Sequence, residues 1–350
     1  MKALVKTKKG EGNIEVMDMP VPIISDDEVL IKVKAAGICG TDIHILHDEV
    51  PYWPPVILGH EFSGEIVQIG SKIKKMQIGD RVVGEPHTQA CGECYLCRNG
   101  YIQICREKRS PGWGIHGAFT EFIKMPEKLL HKIPENVSFE EAAVLEPCAI
   151  VSHQVIERGT VKAGEVVVVF GAGAIGILGT QMAKISGASK VVLVGRGSDV
   201  EYRFKVADEI GSVDVFVNTE EESILDVVMD LTSGIGADLV IEASGSFQAI
   251  KNGVNVLKKR GRLTAIGLTG KDSIEFPWDT AMNKVIDLHF NMSSSYNGWN
   301  TAIKLLGDSK LKVTPLITSI EPLENWEKAF DDIQKGRALK VLLNVSDLKD

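Results

Sequence analysis

The stretch EVVVVFGAGAIG at 165–176 constrains the fold of this chain more than any other part of it. A near-continuous run of β-branched residues breaks at glycine and reopens as an apolar helix. The same grammar of strand, turn and helix returns with KVVLVG at 190–195, GADLVIEASG at 236–245 and GRLTAIG at 261–267. Strands apolar on both faces and separated by helices imply a parallel sheet covered on both sides. Gly171, Gly173 and Gly176 form G-x-G-x-x-G with Ala174 and Ile175 between them, in strand–turn–helix context. There the glycines permit a tight turn, let backbone N–H groups approach a pyrophosphate and allow close helix–strand packing, while the helix N-terminus adds partial positive charge. A dinucleotide cofactor is the expectation. At the end of the next strand, where a carboxylate would accept bonds from the ribose hydroxyls, stand Gly195, Arg196, Gly197 and Ser198. A missing acid beside Arg and a hydroxyl makes room for a 2′-phosphate and favours NADP over NAD. Two competing readings stay open: Asp199 folds back to the ribose, or Arg196 stacks on the adenine.

Outside this segment the grammar is different. Up to about residue 150 short strands are broken by Gly and Pro, as in 27–39, 62–70 and 79–86, and after about 290 that pattern returns. The expectation is an α/β protein in which a nucleotide domain at 151–290 is inserted into a β-rich domain made of 1–150 and 291–350. A chain of 350 residues with 44% hydrophobic and 25% charged residues has room for two such cores. The net charge of −8 comes without a basic stripe, which argues against a nucleic-acid partner. No run of some twenty apolar residues is present, and MKALVKTKKG is not followed by an apolar stretch, so a cytoplasmic protein is expected.

Cysteines add chemistry. Cys91, Cys94, Cys97 and Cys105, at x2, x2 and x7 spacing, suit a closed tetrahedral thiolate site for structural zinc. A chain this long does not need disulfide staples. Cys39, with the adjacent His60 and Glu61, offers part of a second coordination sphere, and a sphere with a vacancy is how zinc becomes catalytic. Cys148 fits neither group and reads as a small buried hydrophobe.

With these residues in hand, G59-H60-E61-x2-G64-x5-G70 resembles the signature of the zinc-containing medium-chain alcohol and polyol dehydrogenases. The resemblance covers nearly the whole chain: ICGTD at 38–42, GDRV at 79–82, the four-cysteine lobe, GAFTEF at 117–122, LEP at 145–147, GAGAIG at 171–176 and a terminal basic strand at 340–345. It implies a Rossmann-type domain inserted in a chaperonin-10-like barrel, two zinc ions per chain, NAD(P), and hydride transfer between a secondary alcohol and the nicotinamide. Cys39 and His60 match catalytic ligands, and Glu61 either binds the metal or lies just behind it. Glu146 stands where ethanol-type members carry a second cysteine, which aligns the chain with sorbitol, threonine, butanediol and sugar-alcohol-phosphate dehydrogenases. Thr41 and His44 match a proton relay, and Lys340 the family's basic contact to the cofactor phosphate. A polyol, sugar alcohol or sugar-alcohol phosphate is the expected substrate. Threonine or 2,3-butanediol is the runner-up, although only twenty residues separate Cys39 from His60, a short loop for the threonine enzymes. From another class, a non-catalytic zinc- and nucleotide-binding relative would have lost ligands, and none is lost here. Trp53, Trp113 and Phe119 receive no role. The neighbourhood 290–299 ends the expected nucleotide domain and, in similar proteins, pairs subunits, so a homotetramer is expected, with a dimer as second choice.

Overall fold

The computed structural model describes residues 1–345 in two compact units, Met1–Pro147 with residues 316–345, and Cys148–Pro315. The first unit opens with β1 (Lys2–Lys6), β2 (Ile14–Asp18), β3 (Glu28–Gly37), β4 (Val56–Ile57), β5 (Glu61–Ile69), β6 (Arg81–Gly84), β7 (Phe122–Pro126) and β8 (Leu130–Lys132). The second holds β9 (Val166–Phe170), β10 (Lys190–Gly195), β11 (Val215–Asn218), β12 (Ala237–Glu242), β13 (Leu257–Ala265) and β14 (Asp287–Phe290). The chain then returns to the first unit with β15 (Ile317–Pro322) and β16 (Lys340–Asn344).

In the first unit a seven-stranded sheet runs β15-β16-β3-β5-β6-β8, with β7 also on β3, beside a small sheet β2-β1-β4. Strand β3 is its centre. Val29, Ile31 and Val33 point to one face and are fully buried with Phe62, Ile66, Val82, Val341 and Leu343. Each such side chain contributes about 1.5–3 kcal/mol of burial. The register sets Gly37 opposite both Glu61 and Leu342, so three distant segments meet at one end of β3.

The second unit is a six-stranded parallel sheet in the order β11-β10-β9-β12-β13-β14. Successive strands leave β9 first on one side, through β10 and β11, and then on the other, through β12. That reversal opens a crevice at the carboxyl ends of β9, β10 and β12, where open α/β sheets bind ligands. Val168, Phe170, Val192, Val194 and Val240 form the buried core beneath it.

The return to the first unit falls at residue 316, later than the expected 291. The helix Tyr296–Gly307 belongs to the nucleotide unit because Gly298 lies against the Ala149 carbonyl and His153, leaving no room for a Cβ. Gln181 fixes the segment beyond it, donating to the Lys312 carbonyl at 3.0 Å and accepting the Lys312 N–H at 2.8 Å. The expected boundary missed these packings because nothing in the local pattern changes at 291. Among the described residues no helix is long and apolar enough to cross a membrane.

Candidate metal and nucleotide sites

Cys39 is the N-cap of the helix Gly40–Leu46, and its backbone N–H donates to Asp42 Oδ2 at 2.9 Å in a capping box. Asp42 is fully buried and also accepts the Gly59 N–H at 3.3 Å, which ties the Cys39 turn to the residue before His60. The ligand atoms of Cys39, His60 and Glu61 lie within 4.8 Å of one another. Gly37 is required here, because a side chain would run into the Glu61 carboxylate.

The electrostatics of this cluster call for a cation. Burial works against charge on His60, but the Cys39 sulfur, with Asp42 and Glu146 near, holds its imidazole up at about 10. Burial pushes Glu146 up to about 7 despite the pull of His60, Lys340 and Lys108, with Glu61 adding repulsion. Glu146, on the first turn of the helix Leu145–Val151, keeps its Oε2 buried without a hydrogen-bond partner. Glu61 is differently placed. Lys340 Nζ donates to both of its oxygens, at 2.9 and 2.7 Å, and to the Ile38 carbonyl at 3.0 Å. A thiol, an imidazole and an orphaned carboxylate oxygen therefore fit a divalent ion, with Glu61 braced behind them. Glu146 stands outside the tight triangle that includes Glu61; both Glu61 oxygens are engaged by Lys340, whereas one Glu146 oxygen is not engaged.

Lys340 departs from the sequence reading. It is only 5% exposed and its ammonium is directed at Glu61 and Ile38, which leaves it no donor for a cofactor phosphate. Thr41 Oγ1 lies 3.7 Å from Cys39 Sγ. His44 is partly exposed and its Nδ1 is bonded to Glu49 at 2.6 Å. Phe119 is core, packed under Gly59 where any side chain would collide with its ring. Cys148 is buried.

The four-cysteine lobe forms a closed cluster. Cys91 and Cys97 sulfurs are 3.9 Å apart, Cys94 and Cys105 4.0 Å, and Cys91 and Cys105 3.6 Å. A tetrahedron of zinc–sulfur bonds near 2.3 Å has edges of about 3.8 Å, whereas a disulfide needs about 2.05 Å. Backbone N–H groups of Cys91, Cys94 and Cys97 point at the sulfurs of Cys105, Cys91 and Cys94. The Cys91 N–H leads the effects that lower the Cys105 thiol to about 6, so the lobe favours at least one thiolate.

In the nucleotide unit the three glycines have three geometries. Gly171 sits at φ +101° against Ser244, and Gly176 lies so close to the Gly171 carbonyl that no Cβ fits. Gly173 faces open space, with nothing within 4 Å of a would-be Cβ, which is the room a pyrophosphate needs. Ala174 and Ile175 begin the helix Ala174–Ile185 that follows. A cavity of about 380 Å³ runs from this turn along Gly195, Arg196, Asp199 and Arg203 to Ser244 and Asn252. Asp199 does fold back towards Gly195, but onto protein. Its Oδ2 accepts the Arg196 N–H at 2.9 Å, Arg203 pairs with its other oxygen at 3.0 Å, and a Cβ on Gly195 would meet that carboxylate. Arg196 and Ser198 are both exposed, and Arg196 lines the cavity.

Asp42, Lys108, Arg203 and Glu242 escaped the sequence reading as site residues. Asp42 was visible only as a letter of ICGTD. Glu242, at the end of β12, accepts the Ser244 N–H and hydroxyl and the Gly245 N–H, shaping the loop opposite Gly171.

The comparisons agree with this geometry. Residues 25–135 match the family described as alcohol dehydrogenase GroES-like domain, and 174–308 match zinc-binding dehydrogenase. A sorbitol dehydrogenase from Halalkalibacterium halodurans is 37% identical over 99% of this chain and 100% of its own length. An L-threonine 3-dehydrogenase from Bacillus licheniformis is 36% identical over 98% of each. A structure described as a zinc-binding dehydrogenase from Sinorhizobium meliloti with NADP bound superposes with a TM-score of 0.89 at 29% identity, covering 98% of both chains. The chain belongs to the zinc-type medium-chain alcohol dehydrogenase family, oxidoreductases that act on CH–OH groups.

Proposed function

We propose that this protein oxidises a secondary alcohol of a polyol, sugar alcohol or sugar-alcohol phosphate to the ketone, reversibly, with NADP preferred over NAD. The observation that carries the reading is the buried Glu146 oxygen left without a partner near His60, which itself lies within 4.8 Å of Cys39 and Glu61. When bound, zinc supplies Lewis acidity to the substrate hydroxyl and the nicotinamide supplies the hydride acceptor. Cys39, His60 and Glu146 hold the metal, and Glu61 stands behind it, paired with Lys340. Asp42 orients the turn that presents Cys39 and lies beside His60. Thr41 accepts the proton leaving the substrate, and His44, bonded to Glu49 near solvent, passes it out. The second zinc is held by Cys91, Cys94, Cys97 and Cys105 and is structural.

For the cofactor, Gly171, Gly173, Ala174, Ile175 and Gly176 cradle the pyrophosphate. Asp199 is neutralised by Arg203, and Arg196 and Ser198 stand exposed to bind a 2′-phosphate, with the Glu220 carboxylate beside Gly197 as the opposing charge. Self-assembly as a homotetramer uses the edge of β14, the last strand of its sheet, where Phe290 is 74% and Met292 58% exposed. Oxidation of threonine is the second reading, supported by the 36% identical relative. A panel of sorbitol, galactitol 1-phosphate, threonine and 2,3-butanediol with each cofactor decides between them, and turnover of threonine alone overturns the polyol reading.

A further inference from the structure

The loop 106–117 carries Arg106, Lys108 and Arg109, with Glu107 among them, and the indole of Trp113, and it is locked to the segment that presents His60. Gly117 donates its N–H to the Ile57 carbonyl at 2.8 Å, and Ala118 to Gly59 at 2.9 Å. Gly112 lies against the Gly59 N–H, 2.9 Å from where its Cβ would be, and a side chain at Gly117 would overlap the Leu58 and Gly59 carbonyls. The Trp53 N–H donates to the Trp113 carbonyl at 2.8 Å, which brings in the second indole. This group keeps a fixed position relative to the metal ligands.

Lys108 and Arg109 lie over these rings. Lys108 Nζ is 5.6 Å from the Trp113 ring centre, and the Arg109 guanidinium is 4.0 Å from that of Trp53. Arg109 places its stem on Gly114 and directs one terminal nitrogen to the Glu107 and Lys108 carbonyls, at 3.2 and 3.0 Å. Among the described residues neither cation has a carboxylate in ion-pair contact. The anionic neighbours that act on Lys108 are Glu146 and Cys105, one in each metal-binding group, and burial disfavours its charge. A half-buried ammonium without a carboxylate in ion-pair contact, next in sequence to a guanidinium fork and within electrostatic reach of Glu146, suits an anion brought by the ligand.

Resting on the polyol reading above, we infer that Lys108 and Arg109 bind the terminal phosphate of a phosphorylated sugar alcohol while Trp53 and Trp113 pack along its carbon chain. Two cations, one of them a planar fork, match a phosphate dianion better than the single carboxylate of an amino acid. Shared anion chemistry leaves threonine as the competing source, and the test separates the two.

The experiment measures kcat/KM for galactitol, galactitol 1-phosphate, sorbitol, sorbitol 6-phosphate and threonine with wild type, Lys108→Met, Lys108→Arg and Arg109→Lys. Wild type is expected to prefer the phosphorylated alcohols by about 100-fold, a preference cut roughly 30-fold in Lys108→Met, mainly through KM, and largely restored in Lys108→Arg. Arg109→Lys, which keeps the charge and loses the fork, should cut it by about 5- to 10-fold. Inorganic phosphate should inhibit polyol turnover competitively in wild type and less in Arg109→Lys, a readout that stands even if Lys108→Met does not fold. Wild-type polyol turnover indifferent to phosphorylation, a preference unchanged by the substitutions, or selection of threonine overturns this inference, the first two leaving the polyol reaction intact. No turnover of any alcohol in the set overturns both.

Discussion

Asp42 offers no atom to the metal triangle, yet it touches two of its supports, the Cys39 and Gly59 N–H groups, and lies beside His60. Such a neighbour fixes ring and sulfur orientation, so Asp42→Asn should lower zinc affinity or turnover by about 10- to 100-fold. Chelator competition together with kcat measures it, and wild-type values for both would remove Asp42 from the site. Glu146→Gln keeps volume while removing charge. It should bring bound zinc from two per chain towards one by elemental analysis, because the thiolate lobe is untouched. Cys39, His60 and Glu61 were legible in the sequence since motif and order carry them. The use of Lys340 was not, because its partner lies 279 positions away and only the pairing of β16 with β3 brings the two together.

At the scale of elements, the cysteine lobe closes on itself through three N–H to sulfur contacts and a short helix, Tyr95–Arg98. A metal held by the four sulfurs would supply cohesion that the lobe otherwise lacks, and on that reading Cys97→Ala should lower Tm by roughly 5 °C or more. An unchanged melting curve would refute a structural ion. A carboxylate does similar work elsewhere: Glu127 Oε1 accepts the N–H groups of Lys74, Lys75 and Met76 at 2.9, 2.5 and 3.0 Å. Burial works against its charge, but those N–H groups outweigh it and hold its pKa below the usual carboxylate value. The folded value is below the unfolded one, so this stability is complete above the unfolded pKa near 4.3 and is lost as pH falls through the folded value. Glu127→Gln should therefore flatten the acid limb of Tm against pH below about pH 5. An identical acid limb would show that the loop does not depend on this charge. Spacing made both the four-cysteine cluster and the G-x-G-x-x-G turn readable in advance. The Glu127 cap was not readable, since it joins a loop to a strand end some fifty residues away.

For the molecule as a whole, the alternation of strands and helices announced the nucleotide unit, but its far limit was hidden. The helix Tyr296–Gly307 has the same amphipathic pattern whichever unit it packs against, and only its tight seat at Gly298 decides. Assembly is a prediction of this scale. Phe290→Asp places a charge on the unpaired edge of β14 and should shift the protein to smaller species in light scattering after size exclusion, while unchanged mass would move the interface elsewhere. The interleaving of the units also governs synthesis. Residues 148–315 emerge from the ribosome as one uninterrupted block and can fold while translation continues. The metal-bearing unit must wait, its thiols and imidazole already made, until β16 arrives to pair with β3 and Lys340 closes on Glu61. A metal held at Cys39 and His60 would thus gain its brace late in synthesis, since a nascent chain stalled before residue 340 lacks the contact of Lys340 with Glu61.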